Sequence, residues 1–129
     1  MNKNKIILVI EDEKTLSTAL NNKLSKEGFN VKQAFNGEEA YAMAEKEKPD
    51  FLLVDIIMPR QDGIKTLMKI RQQDWGKEIP AIILTNLSND YRAEEFAKID
   101  PNVEYMIKSD TKINNVVEYI NNSIVNNYE

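Results

Sequence analysis

Two hydrophobic rhythms alternate along the chain: short unbroken apolar runs, and longer stretches whose apolar positions recur every third or fourth residue. An unbroken run predicts a strand covered on both faces, and the wider rhythm predicts a helix with one buried stripe. Residues 5–10 form the first strand so predicted. Residues 15–27 follow as a helix with Leu16, Ala19, Leu20 and Leu24 on its stripe and Gly28 ending it. Residues 29–34 are a weaker second strand. After Asn36-Gly37, a helix over about 38–47 turns Ala40, Met43 and Ala44 inward and is closed by Pro49. Residues 51–54 are the third strand, and 64–71 a helix with Ile64, Leu67 and Met68 on its stripe. Pro80 leads into the fourth strand, 81–84. A short helix over 90–99, capped by Asn89 or Asp90, precedes the fifth strand, 103–107. The last helix starts after Ser109-Asp110 and carries Ile113, Val116, Val117, Ile120 and Ile124 at helical steps. Its Asn and β-branched residues are poor helix formers, so its stability must come from docking that stripe onto the sheet.

The four glycines and four prolines all fall at joints between these segments. Strands alternating with helices imply an α/β fold with a parallel sheet covered on both faces. Right-handed crossovers favour a doubly wound, flavodoxin-like arrangement of five strands and five helices, with ligands at the carboxyl ends of the strands. In the 2-1-3-4-5 order, the switch point lies between the first and third strands. Those two strands end in Glu11-Asp12 and Asp55.

The stretch from Phe51 to Gly63 carries the chemistry. Phe51-Leu52-Leu53-Val54 delivers a single carboxylate, Asp55, which must meet water, a cation or a reacting group, because an isolated buried charge is too costly. Pro59 then holds Met58 extended, and Asp62-Gly63 supplies turn chemistry before the next helix. Three carboxylates gathered at one rim repel; two unit charges ~4 Å apart cost about 4 kcal/mol at an effective dielectric of 20. A proton or a cation must relieve this. Oxygen ligands without His or Cys make a hard divalent ion such as Mg²⁺ the natural candidate. Thr85 and Lys108 end the fourth and fifth strands. With them the rim offers a hydroxyl, an ammonium and a carboxylate nucleophile, a plausible set for phosphoryl transfer.

A chain of 129 residues suits one domain, 1–129, with no repeat or low-complexity segment. The absence of cysteine excludes disulfide and thiolate chemistry. The absence of histidine removes the usual general base and a phosphohistidine donor. The apolar segment before Glu11 is too short for a signal peptide or a membrane span, so a cytoplasmic protein without membrane insertion is expected. Net charge is −4, from 17 basic and 21 acidic residues, which disfavours direct binding to nucleic acid. Setting Glu11, Asp12 and Asp55 aside leaves 18 acidic residues against 17 basic, so much of the acidity belongs to the site.

Taken singly, these residues have plain explanations. Glu11, Asp12 and Glu13 suit the first turn of a helix. Thr85 is an ordinary strand-end hydroxyl, Lys108 a solvated surface lysine, and Tyr105 a sheet-packing aromatic; Trp75 near a helix end is packing. Their joint spacing points elsewhere. Glu11-Asp12, Asp55 with Met58-Pro59 and Asp62-Gly63, Thr85, Tyr105 and Lys108 together resemble the receiver domain of two-component response regulators, of the chemotaxis-regulator kind. The resemblance runs from Lys5 to about Asn126.

The resemblance implies that Asp55 is the phosphoacceptor. It implies Mg²⁺ on Asp12, Asp55 and the carbonyl of Ile57, with Glu11 acting through a bound water. Lys108 would neutralise the phosphoryl charge, Thr85 would bond the phosphoryl group, and Tyr105 would swing inward behind it. The N–H groups of Ile57 and Asn86 would help hold the phosphoryl oxygens. The implied partner is a sensor histidine kinase or a histidine phosphotransfer protein, with a small acyl phosphate as an alternative donor. The output would be a reshaped face of fourth helix, fifth strand and last helix that binds a downstream protein or a second copy of the chain. Such a domain catalyses only its own phosphorylation and dephosphorylation and is not a turnover enzyme.

The chain departs from the family pattern at several positions. Ser109 follows Lys108 where proline is usual, and a cis bond there would cost about 3 kcal/mol, so a trans bond is expected. Asn86 stands where a small residue is common, and Glu11 where Asp is usual. Ile57 and Leu87 flank the path of hydrolytic water, which predicts a long-lived phosphoryl-Asp55. No output domain is expected after Asn127, and the last elements lack the acidic and Arg run of receivers that precede winged-helix domains. Three other classes compete. An aspartyl-nucleophile phosphatase needs a second Asp where Ile57 stands. A flavin or nucleotide binder needs a phosphate loop where Glu11-Asp12-Glu13-Lys14 stands. A phosphorylation-independent scaffold would keep the fold without the chemistry.

Overall fold

The unbroken apolar runs near residues 6–10, 51–54 and 81–84 become buried strands because helices cover them on both sides. In the computed structural model, residues 5–55, 62–85, 91–108 and 112–127 are described. Strands β1 (Ile6–Ile10), β2 (Asn30–Ala34), β3 (Phe51–Asp55), β4 (Ala81–Thr85) and β5 (Val103–Ile107) form one parallel sheet in the order β2-β1-β3-β4-β5. Helices α1 (Lys14–Lys26), α2 (Gly37–Glu47), α3 (Gly63–Arg71), α4 (Tyr91–Ile99) and α5 (Ile113–Asn127) link and follow them. The expected doubly wound topology is therefore present.

Strand alternation divides the core in two. Leu8, Ile10, Leu52, Val54, Ala81 and Ile83 face one way and pack with Ala40 and Ala44 of α2, Ile64, Leu67 and Ile70 of α3, and Ala93 of α4. Ile7, Val9, Phe51, Leu53, Ile82 and Leu84 face the other way, against Leu20 and Leu24 of α1 and Val116, Val117, Ile120 and Ile124 of α5. The Asn-rich last helix is thus held by its apolar stripe, as its poor propensity requires.

Local chemistry sets the helix ends. Gly28, at φ 96°, ends α1 in the left-handed region that glycine adopts without strain. Asn36 caps α2 by accepting the Glu39 N–H at 2.9 Å, while the Glu39 carboxylate reaches back to the Phe35 N–H at 2.9 Å. The stop of α2 is Lys48 rather than Pro49: Lys48 turns left-handed at φ 48° and its N–H closes on the Ala44 carbonyl.

One stripe expectation is corrected and another extended. Met68 is half exposed; α3 buries Gly63, Ile64, Leu67 and Ile70, together with Thr66. Met68 sits one residue, about 100°, round from that face. On α1, the stripe takes in a polar residue as well, Ser17, three and seven residues before Leu20 and Leu24, while Leu16 packs partly buried against the same cluster. Its buried hydroxyl accepts a hydrogen bond from Gln33 Nε2 at 2.8 Å. Arg71 is a joint that the apolar pattern does not reveal. Its guanidinium donates to Asp100 Oδ2 at 2.7 Å and to the carbonyls of Gly76 and Ile79 at 2.7 and 2.6 Å. It thereby ties the end of α3 to the entrance of β4 and the end of α4. Trp75 packs as expected, against Tyr41 with ring centroids 6.2 Å apart and with the Lys48 ammonium over its ring. Among the described residues, no helix is long and apolar enough to cross a membrane.

Candidate functional site

Strand register assembles the site. Ile10 pairs with Val54, so Glu11 and Asp55 are the next residues along two adjacent strands. Thr85 pairs with Ile107, which puts Lys108 one step past β5 on the same rim. By alternation Glu11, Asp55 and Lys108 belong to the side of the sheet covered by α1 and α5. Thr85 and Tyr105 belong to the side covered by α2, α3 and α4.

Carboxylate oxygens of Glu11, Asp12 and Asp55 lie within 4.8 Å of one another. Glu11 and Asp55 are buried and Asp12 is exposed. Helix α1 begins only at Lys14, so Glu11 and Asp12 precede its first turn and are not ordinary helix-start acids. Lys108 answers the charge: its ammonium is 2.8 Å from Glu11 Oε1 and 3.4 Å from Asp55 Oδ1. Glu11 Oε1 is buried against the Lys108 ammonium, while Glu11 Oε2 accepts the Glu13 N–H at 3.1 Å. Burial, and next the negative charge of Glu11, push the Asp55 carboxyl up to about 7 against the opposing pull of Lys108. Burial alone would lower Lys108, but its contacts with Glu11 and Asp55 outweigh this and raise it.

Three convergent carboxylates suit a hard divalent cation. Every donor is oxygen, and one ammonium cannot neutralise three acids. The residues present thus fit Mg²⁺.

Thr85 is buried at the end of β4, and Tyr105 is half-buried on the edge strand β5 within the cluster that includes Ala93 of α4. The expectations for Ile57, Met58, Asn86, Leu87, Asn89, Asp90, Ser109 and Asp110 lie outside the described residues. Asp62-Gly63, read from the sequence as a turn, has a larger part. Asp62 Oδ1 caps α3 by accepting the Lys65 N–H at 2.9 Å, and Oδ2 pairs with Arg92 of α4 at 3.2 Å. A Cβ on Gly63 would stand 2.0 Å from the Asp55 carbonyl oxygen. An Asp followed by Gly at a helix start is a cap signal; its ion pair with Arg92 leaves no local trace.

A family model for the response regulator receiver domain matches residues 7–121. The chain is 40% identical over 96 residues to the alkaline phosphatase synthesis transcriptional regulatory protein PhoP of Bacillus subtilis, covering 74% of this chain and 37% of that protein. It is 34% identical over 94 residues to the response regulator MprA of Mycobacterium avium, covering 73% and 40%. The chain thus spans about two-fifths of the length of these relatives. Among solved structures, the receiver domain of the Francisella response regulator 1452 superposes with a TM-score of 0.80 at 28% identity, covering 92% of this chain and 94% of that one. The response regulator TrrA of Thermotoga maritima, solved with Mg²⁺ and BeF, superposes with a TM-score of 0.77 at 30% identity, covering 92% and 97%.

Proposed function

This chain belongs to the family of response regulator receiver domains of two-component systems, and from that membership we propose that Asp55 is its phosphoacceptor. The donor is the phosphohistidine of a sensor histidine kinase or of a phosphotransfer protein, with a small acyl phosphate as substitute. An Asp55 oxygen attacks phosphorus. The bond from phosphorus to the donor's nitrogen or oxygen breaks, and its electron pair leaves with the donor. The observation that supports this reading is the acid cluster at the rim, with the Lys108 ammonium against Glu11 and Asp55.

Asp12 and Asp55 would hold Mg²⁺, with the Ile57 carbonyl and Glu11 through water. The ion would supply charge neutralisation for the transferring group. TrrA, solved with Mg²⁺ and BeF, is a relative whose contents match this reading. Lys108 supplies a second positive charge to the phosphoryl oxygens. The Thr85 hydroxyl then turns toward the modified Asp55, Tyr105 follows on the same side of the sheet, and the surface of α4, β5 and α5 changes for a downstream partner or a second copy. The domain processes only its own phosphoryl group.

Incubation with Mg²⁺ and acetyl phosphate tests this by intact mass. Wild type should gain one phosphoryl group and Asp55→Asn none. No gain in wild type would favour a phosphorylation-independent scaffold, and steady phosphate release from varied monoesters would favour a phosphatase.

A further inference from the structure

Two carboxylates compete for one ammonium, and the acceptor is the more distant of them. Lys108 Nζ lies 2.8 Å from Glu11 Oε1 but 3.4 Å from Asp55 Oδ1. Glu11 is fixed from both ends, Oε2 by the Glu13 N–H and Oε1 by the ammonium. It is also buried, so water does not weaken the pair. The contact spans an unusual distance in the sheet. Strands β1 and β5 are separated by β3 and β4, three strand spacings or about 14 Å, and a lysine must meet a long acid to bridge them. An Asp at position 11 is one methylene shorter and would leave Lys108 nearer to Asp55.

We propose that Glu11 is a positioning residue that keeps the Lys108 ammonium engaged in the resting protein, so that release of Lys108 from Glu11 limits phosphorylation of Asp55. The inference rests on Asp55 being the acceptor. Transfer places new anionic oxygens at Asp55, and the ammonium must give up Glu11 to reach them. A divalent cation drawn to the same acid cluster competes for the oxygen that holds Lys108. Metal loading and lysine release are therefore linked through one carboxylate.

The test compares wild type with Glu11→Asp, a change that keeps the charge and shortens the reach. In metal-free protein, reductive methylation of lysines followed by peptide mass spectrometry reads how freely Lys108 reacts. In parallel, the phosphorylation rate is measured with Mg²⁺ across acetyl phosphate concentrations. Glu11→Asp should raise Lys108 methylation and the maximal phosphorylation rate by about threefold to tenfold, the scale of one partly buried ion pair, without moving the half-saturating donor concentration. Unchanged methylation overturns the proposal, and so does raised methylation with no faster maximal rate. If the variant does not fold, wild type alone decides, because Mg²⁺ should raise Lys108 methylation and a flat response overturns the proposal. If wild type takes up no phosphoryl group, the acceptor assignment falls, while the methylation comparison still judges the hold on Lys108.

Discussion

Asp55 sits where an ionised carboxylate is least welcome, and its chemistry follows from that. Burial and the charge of Glu11 raise its proton affinity until it titrates near about 7. Its folded value lies above the 3.8 of an unfolded chain, so the folded protein binds the proton more tightly. The resulting stability is complete below the unfolded value and is lost as pH rises through the folded one. Asp55→Asn, neutral and nearly isosteric, should therefore stabilise the metal-free protein by about 1–2 kcal/mol at about pH 8, with the gain shrinking toward about pH 4. Urea unfolding at the two pH values measures this; a variant weaker than wild type at the higher pH would contradict it. The importance of Asp55 was legible because one acid ending an unbroken apolar run is a local pattern. The closeness of Glu11 to Lys108 was not, since those residues stand far apart in the chain.

Helix α3 follows the strand that ends in Asp55, and its first residues matter most. Gly63 lets the helix start directly against the carbonyl of Asp55, with no room for a side chain. Gly63→Ala should cost about 1–3 kcal/mol through overpacking and weaken Mg²⁺ binding by displacing Asp55. Met68→Ala, on the exposed side of the same helix, should stay within about 0.5 kcal/mol of wild type. Denaturant midpoints with and without Mg²⁺ distinguish the two, and equal losses would refute the assignment of faces. The sequence periodicity located α3 to within a residue at its start, yet it put Met68 on the wrong side. An apolar residue next to a stripe satisfies the same spacing rule as one within it, and only contact with β3 and α2 separates them.

At the scale of the molecule, an ion held by the acid cluster would make stability depend on metal. A ligand that binds only the folded state, at roughly a hundred times its dissociation constant, adds about 2.7 kcal/mol. Mg²⁺ should raise the unfolding midpoint accordingly, and a chelator should reverse the gain. Because protons compete for Asp55, apparent Mg²⁺ affinity should fall by up to about tenfold per pH unit below about 7. Thermal unfolding across Mg²⁺ concentrations at two pH values checks both, and a pH-independent affinity would show that Asp55 is not a ligand. The two-sided core also sorts the rim residues by layer. Thr85 and Tyr105 share the layer that holds α4, while Glu11, Asp55 and Lys108 share the layer of α1 and α5.

The amino-acid order alone determined the alternation of strands and helices, the parallel sheet and the gathering of Glu11, Asp12 and Asp55 at one rim. Those features follow from runs, periods and strand ends, which are properties of neighbours in the chain. Tertiary structure decided which carboxylate holds Lys108, that Asp62 both caps α3 and pairs with Arg92, that Arg71 joins three elements, and that Ser17 is buried. Each of these depends on strand register and helix docking, which bring into contact residues that no local pattern connects.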